Sequence, residues 1–252
     1  MVVTRPAGQA DQFVTQLQRL GYEAESFPLL EIHPLTDPAP LRAALARLDA
    51  YALVAFVSPN AIDATFAHVV RWPAILPVAV MGEGSRQALA RRGIVTPHYV
   101  IISPTDPQRS DSQTLLRELD LPALRAQKVL ILRGESGREW LADALRAAQV
   151  EVEQVAAYRR SEPVMTAARS DHLRNLLHRD PCWIVTSSEA LQNLIRAAKV
   201  VDPQFAVAKM QRQKIFVAHP RIAETAAALG FHEVFVTAAG DAGMLTALQS
   251  KA

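Results

Sequence analysis

The chain has 252 residues, half of them hydrophobic, with 27 Lys and Arg against 25 Asp and Glu. That length suits two domains of ordinary size, and near-neutral charge argues against a nonspecific nucleic-acid binder. No apolar run approaches the ~20 residues a membrane span needs, and no charged-then-apolar leader opens the chain, so the reading is a soluble cytoplasmic protein. One cysteine, Cys182, forms no internal disulfide, and seven scattered histidines with no i, i+4 pair argue against a metal site.

The first element is strand Val2-Val3 with the polar loop Thr4 to Gly8. A helix follows over Gln9 to Leu20, with Phe13, Leu17 and Leu20 inward and Gly21 ending it; the returning strand is Tyr22 to Ile32. Next come Leu53 to Val57 with Ser58-Pro59-Asn60, Pro77 to Met81 with Gly82-Glu83-Gly84-Ser85, and His98 to Ile102 before a helix over Ser112 to Leu119. The β-loop-α-β unit then returns at Val129, 127 residues after Val2. Here the strand is Val129 to Leu132 and the loop Arg133 to Gly137. Ser136 caps a helix whose inward face is Trp140, Leu141, Ala144, Leu145 and Ala148, and Val150 to Tyr158 is the returning strand.

The remaining segments repeat in the same order. Trp183 to Val185 with Thr186-Ser187-Ser188 matches the Leu53 segment. Lys214 to Ala218 with His219-Pro220-Arg221 matches the Pro77 segment, and Glu233 to Val236 the His98 segment. Segments 36–42, 103–111 and 161–170 read as loops, with Thr105 to Ser110 a candidate mobile one. The chain is therefore two copies of one module, with parallel sheets in an α/β fold. The two extended segments before Pro34 and Pro163 leave two arrangements open. Either the domains lie in tandem, or the first unit is exchanged, so that it completes a domain with the last three segments.

Ligands of open α/β sheets bind beyond the C-terminal ends of strands, where helix N-termini favour carboxylates or phosphates. Arg5, Ser58, Asn60, Ser85, Arg133, Arg138, Thr186, Ser187, Ser188, His219 and Arg221 all follow predicted strands. Each hydroxyl alone reads as an ordinary helix cap. Their recurrence in both halves points to one polyanion. Gly82-Glu83-Gly84-Ser85 is not a dinucleotide fingerprint, since the third position falls on Gln87 and Glu83 repels a pyrophosphate. Tyr158 closes the second returning strand. A phenol there donates a proton to a leaving oxygen, or simply packs its ring and wets its hydroxyl.

Thr4-Arg5-Pro6, Phe56 to Ala61, Gly82 to Ser85, Leu132-Arg133-Gly134, Ala157-Tyr158-Arg159 and Val185 to Ser188 occur in an order that resembles the uroporphyrinogen-III synthase family over nearly the whole chain. The resemblance implies two similar three-layer, flavodoxin-like domains joined by a two-strand connector. It implies 1–35 with 164–252 as one domain, 38–160 as the other, and connectors at 30–38 and 158–165. It implies a cofactor-free, metal-free lyase of haem and other tetrapyrrole synthesis that cyclises hydroxymethylbilane, a linear tetrapyrrole with eight carboxylates, with inversion of ring D. The substrate would lie in an interdomain cleft. Tyr158 would be the acid, and the binding groups would be Arg5, Ser58, Asn60, Gly82, Ser85, Arg133, Gly134, Thr186, Ser187, Ser188, His219 and Arg221. The family often has Gly-Pro-Thr where this chain has His219-Pro220-Arg221, so Arg221 would replace a hydroxyl contact with a charge-assisted one. The implied state is a monomer, with no nucleic acid or membrane partner and transient contact with hydroxymethylbilane synthase. A non-catalytic two-domain binding protein for an anionic small molecule fits the same residues, and the missing phosphate motif disfavours a nucleotide-dependent transferase.

Overall fold

The structure is a computed structural model that describes residues 1–105 and 111–250. The candidate mobile loop therefore lies outside the described residues except for Thr105. The chain divides into two compact units, Met1–Glu31 with Ser161–Ala252, and Ile32–Arg160.

The strands in chain order are β1 (Val2–Val3), β2 (Glu25–Ser26), β3 (Glu31–His33), β4 (Leu53–Phe56), β5 (Val78–Val80), β6 (Ile101–Ile102), β7 (Lys128–Gly134), β8 (Glu151–Ser161), β9 (Trp183–Val185), β10 (Lys214–Val217) and β11 (Glu233–Val236). One sheet runs β2-β1-β9-β10-β11 and the other β3-β8-β7-β4-β5-β6. The pairs β1–β2, β1–β9, β9–β10 and β10–β11 of the first sheet and β7–β8, β4–β7, β4–β5 and β5–β6 of the second are parallel. Counted in chain order the first sheet runs 2-1-3-4-5, the flavodoxin-like order, and the second, leaving β3 aside, runs 3-2-1-4-5, the same arrangement with the β7-β8 pair moved from the start of the chain order to its end. The reversal falls between β1 and β9 in one sheet and between β7 and β4 in the other.

In the central strands β1, β4, β5, β7, β9 and β10 successive residues are buried on opposite faces, which is why these read as apolar runs. In the first unit Val2, Trp183, Val185, Ile215 and Val217 face one core, covered by helices Ala167–Arg179, Ser188–Val201, Phe205–Gln211 and Pro220–Ala228. Val3, Ile184 and Phe216 face the other, covered by Ala7–Arg19 and Gly240–Gln249. In the second unit Val54, Phe56, Leu130 and Leu132 face helices Ala39–Leu45, Pro59–Thr65 and Glu83–Ala90. Leu53, Ala55, Val129 and Ile131 face Ser112–Glu118 and Trp140–Ala147.

Four local expectations change. The strand expected over Tyr22 to Ile32 is two short strands in different sheets, separated by Phe27-Pro28-Leu29-Leu30. Pro28 has no N–H to give a ladder, while Phe27 and Leu29 are buried in the first unit's core. Leu20 is 47% exposed because the helix stops at Arg19, and Gly21 turns the chain with φ of 86°. The helix expected from Ser136 starts only at Trp140, whose ring is 40% exposed in the first turn, leaving Leu141, Ala142 and Leu145 as the buried face. The segments 36–42 and 161–170 each run into a helix, Ala39–Leu45 and Ala167–Arg179.

The edge strand β2 is held by charge as well as by its ladder. Glu25 accepts from Arg179 at 2.8 Å and lies 2.7 Å from His172 Nε2. Burial pushes its carboxyl up, but the hydrogen bonds from His172 and Arg179 outweigh this and hold it below the usual carboxylate range. A lowered folded pKa contributes stability that is fully present above the unfolded value and is lost as pH falls through the folded one. Glu25→Gln is therefore expected to lower the urea midpoint at pH 7. The difference from the unsubstituted protein should shrink as pH drops below about 4.5; a difference independent of pH would contradict this account.

Candidate active site

The site is built at the order reversal of the second unit's sheet. β4 ends at Phe56, and Ser58 takes an extended conformation (φ −163°, ψ 157°) that lets its Oγ accept from Ala61 N–H at 3.1 Å. Pro59 follows at the first helical position, where its missing N–H costs nothing. Beside it β7 ends in Arg133 and Gly134, and its pairing with β8 slips there. Arg133 is opposite Ala156, but Gly134 is opposite Tyr158.

The slip is a β-bulge, and it re-aims a side chain. Strict alternation would put Ala157 and Tyr158 on opposite faces, yet both are buried in the same core with Val155. The phenol hydroxyl thereby comes to 3.1 Å from Ser58 Oγ. The Tyr158 ring lies so close to Gly134 that a Cβ there would sit 3.1 Å from Cζ and 3.3 Å from the hydroxyl oxygen. Two hydroxyls share one hydrogen bond, and Ser58 already accepts from Ala61. One hydroxyl hydrogen of the pair is thus left for a third group. Gly134→Val is expected to displace the ring and cost about 1–3 kcal/mol by overpacking, with Gly134→Ala intermediate. Thermal unfolding of both variants checks this; equal stability of the valine variant would refute it.

Tyr158 also lines a cavity of about 390 Å³ within this unit, with His33, Arg42, Asn60, His68 and Ala157 among its walls. Gly82 precedes the helix Glu83–Ala90 and has no side chain to cap it, while Ser85 lies inside that helix and is only 3% exposed.

The first unit repeats the pattern without the tyrosine. Ser187 Oγ accepts from Ala190 N–H at 3.0 Å after β9, as Ser58 does after β4, with Thr186 before it. Ser188 Oγ lies 2.9 Å from Thr225 Oγ1. His219 caps Pro220–Ala228, its Nδ1 accepting from Arg221 N–H at 3.1 Å.

The two strand-end arginines are both ion-paired. Arg5 donates to Asp241 at 2.6 Å and lies over the Phe13 ring. Arg133, buried, pairs with Glu139 and donates to Gln154 at 2.8 Å. Hydrogen bonds from Gln154 and Arg133 keep the Glu139 carboxyl below the usual range. Both guanidinium charges are thus already balanced by carboxylates far along the chain or across a loop.

The family model for uroporphyrinogen-III synthase HemD matches residues 11–246. The chain belongs to the uroporphyrinogen-III synthase family. Its members are cyclising lyases of porphyrin, tetrapyrrole and haem biosynthesis. The chain is 30% identical to uroporphyrinogen-III synthase of Salmonella typhimurium and 28% identical to that of Escherichia coli, each alignment covering 99% of both proteins. Uroporphyrinogen-III synthetase of Helicobacter pylori shares its fold with a TM-score of 0.59 at 14% identity, covering 100% of this chain and 99% of that one. A mutant uroporphyrinogen III synthase of Thermus thermophilus does so with 0.58 at 15% identity, covering 99% and 97%.

In this synthase-family chain the caps at Ser58 and Ser187 agree with the sequence reading, whereas the cavity wall of Arg42, His33 and His68 was not part of it. Arg42 and His68 belong to no strand end, and His33 ends a strand whose polar neighbours were not among the candidates. Among the described residues, no group of acidic, His or Cys side chains is arranged to hold a metal, and no helix is long and apolar enough to cross a membrane.

Proposed function

We propose that this chain cyclises hydroxymethylbilane to uroporphyrinogen III with inversion of ring D. The observation that carries the reading is the Ser58–Tyr158 hydroxyl pair, 3.1 Å apart at the sheet's order reversal, in a chain of this family. Tyr158 gives its proton to the terminal hydroxyl, which leaves as water and generates an azafulvene cation. The substituted carbon of ring D attacks it to form a spiro intermediate. Fragmentation and reclosure turn ring D over, and the pyrrole proton lost on reclosure restores the balance. Ser58 orients the phenol and is the relay through which its proton is replaced.

The capping hydroxyls at the positive ends of the helices after β4 and β9 receive carboxylate arms. Arg5 and Arg133, already paired, act by holding the strand ends rather than as free anchors. Control of conformation supplies most of the catalysis, because the uncatalysed competitor closes without inversion. The chemistry needs no cofactor. We assign the chain to the cytoplasm as a monomer that receives its labile substrate from hydroxymethylbilane synthase in transient contact.

The test is a coupled reaction in which porphobilinogen and hydroxymethylbilane synthase generate the substrate in place. The oxidised porphyrin isomers are then separated by chromatography. A switch from type I to type III on adding this protein is expected. Type I alone, with controls working, would overturn the reading and leave a polycarboxylate-binding protein.

A further inference from the structure

The cavity beside Tyr158 does not end at the tyrosine. Arg42 and His68 form part of its wall and also part of the wall of a second cavity of about 490 Å³, which Arg71 lines farther on. These two residues are the ridge common to both spaces.

Arg42 is placed there by its helix. In Ala39–Leu45, Leu41 and Ala44 are fully buried against the second unit's core. A 100° rotation per residue puts Arg42 on the flank of that buried stripe rather than directly opposite it. Its charge is also available. Arg47, Arg86, Arg91 and Arg92 of the same unit have carboxylate partners. Among the described residues Arg42 has none within ion-pair distance, although two carboxylates line the cavities. Asp63, in the first, is engaged by Arg91 and Arg92 at 4.0 and 3.3 Å. Asp49 lines only the second. A cation without a carboxylate partner, in a wall shared with the buried phenol, is suited to bind a small anion.

Resting on the function proposed above, we propose that Arg42, assisted by His68, anchors a carboxylate arm of the linear tetrapyrrole in the cavity beside Tyr158. Arg42 thereby determines affinity and specificity for the acid-bearing ring. It touches the arm and not the reacting carbon, so it acts on binding.

Initial rates with freshly prepared hydroxymethylbilane and binding of the octacarboxylate uroporphyrin III, followed by fluorescence, are measured for Arg42→Gln, Arg42→Lys and His68→Gln. Arg19→Gln, an exposed arginine of the first unit, is the charge-matched control. Arg42→Gln should raise KM and the uroporphyrin Kd about tenfold, as expected for loss of one charge-assisted contact, with kcat within about twofold. The lysine variant should recover part of the loss, and His68→Gln should show a smaller one. Unchanged KM and Kd, or equal changes in the Arg19 control, would overturn the proposal. Uroporphyrin binding that depends on Arg42 in a protein forming no type III isomer would keep the anion site and reject the synthase reading. Binding indifferent to Arg42 would reject the site whatever the activity.

Discussion

Tyr158→Phe is expected to lower kcat for the type III isomer by about 10²-fold or more, the scale of losing a positioned general acid, with KM little changed. The substitution is unusually clean in this setting. The phenylalanine ring keeps the packing against Gly134 and the surrounding core. Ser58 still caps its helix through Ala61 N–H. The fold loses one hydrogen bond, worth about 1 kcal/mol. The coupled reaction gives the readout directly, because substrate that escapes closes spontaneously to type I. A rising type I fraction with unaltered thermal unfolding is the expected pattern. Undiminished kcat would remove the phenol proton from the mechanism. A raised KM with unchanged kcat would make the hydroxyl a binding group instead.

Trp183→Ala is expected to destabilise the first unit by about 3–5 kcal/mol, the cost of truncating a fully buried aromatic. Trp183 is 0% exposed on the strand paired to both β1 and β10. It meets the Phe27 ring edge-on with centroids 6.1 Å apart, and its indole N–H donates to the buried Gln213. The variant leaves both a cavity and an unsatisfied amide oxygen. The protein's other tryptophans, Trp72 and Trp140, belong to the second unit. Fluorescence of the variant therefore reports that unit alone, while far-ultraviolet dichroism reports both. In urea the dichroism should show an early transition that fluorescence does not. A dichroism curve unmoved from that of the unsubstituted protein would contradict the packing argument.

Parts of the site were legible because they depend on local chemistry. A serine before Pro-Asn or before Ser-Glu, soon after an apolar strand, has the local chemistry of a helix cap. Ser58 and Ser187 do cap helices. The arginines after strands carry no such local signal of their pairing. Whether Arg5 is a free cation depends on Asp241, 236 positions away, and no periodicity links the two. The role proposed for Arg42 could not be read from sequence, because it rests on which cavities the side chain lines and on its having no carboxylate partner among the described residues.

By itself the sequence determined the duplication, the parallel α/β class and the family. Apolar runs, turn residues and repeat order are properties of neighbouring residues, which survive without knowledge of the fold. Only the tertiary structure decided where Tyr158 points. Period-two alternation assigns it to the face of Ala156, and a one-residue slip between Arg133 and Gly134 turns it to the face of Ala157. Such a bulge follows from pairing two strands whose lengths and registers are set by everything packed on the sheet. Gly134 is the one local trace it leaves, since only a residue without a Cβ gives the phenol room beside Ser58 without forcing the ring to shift.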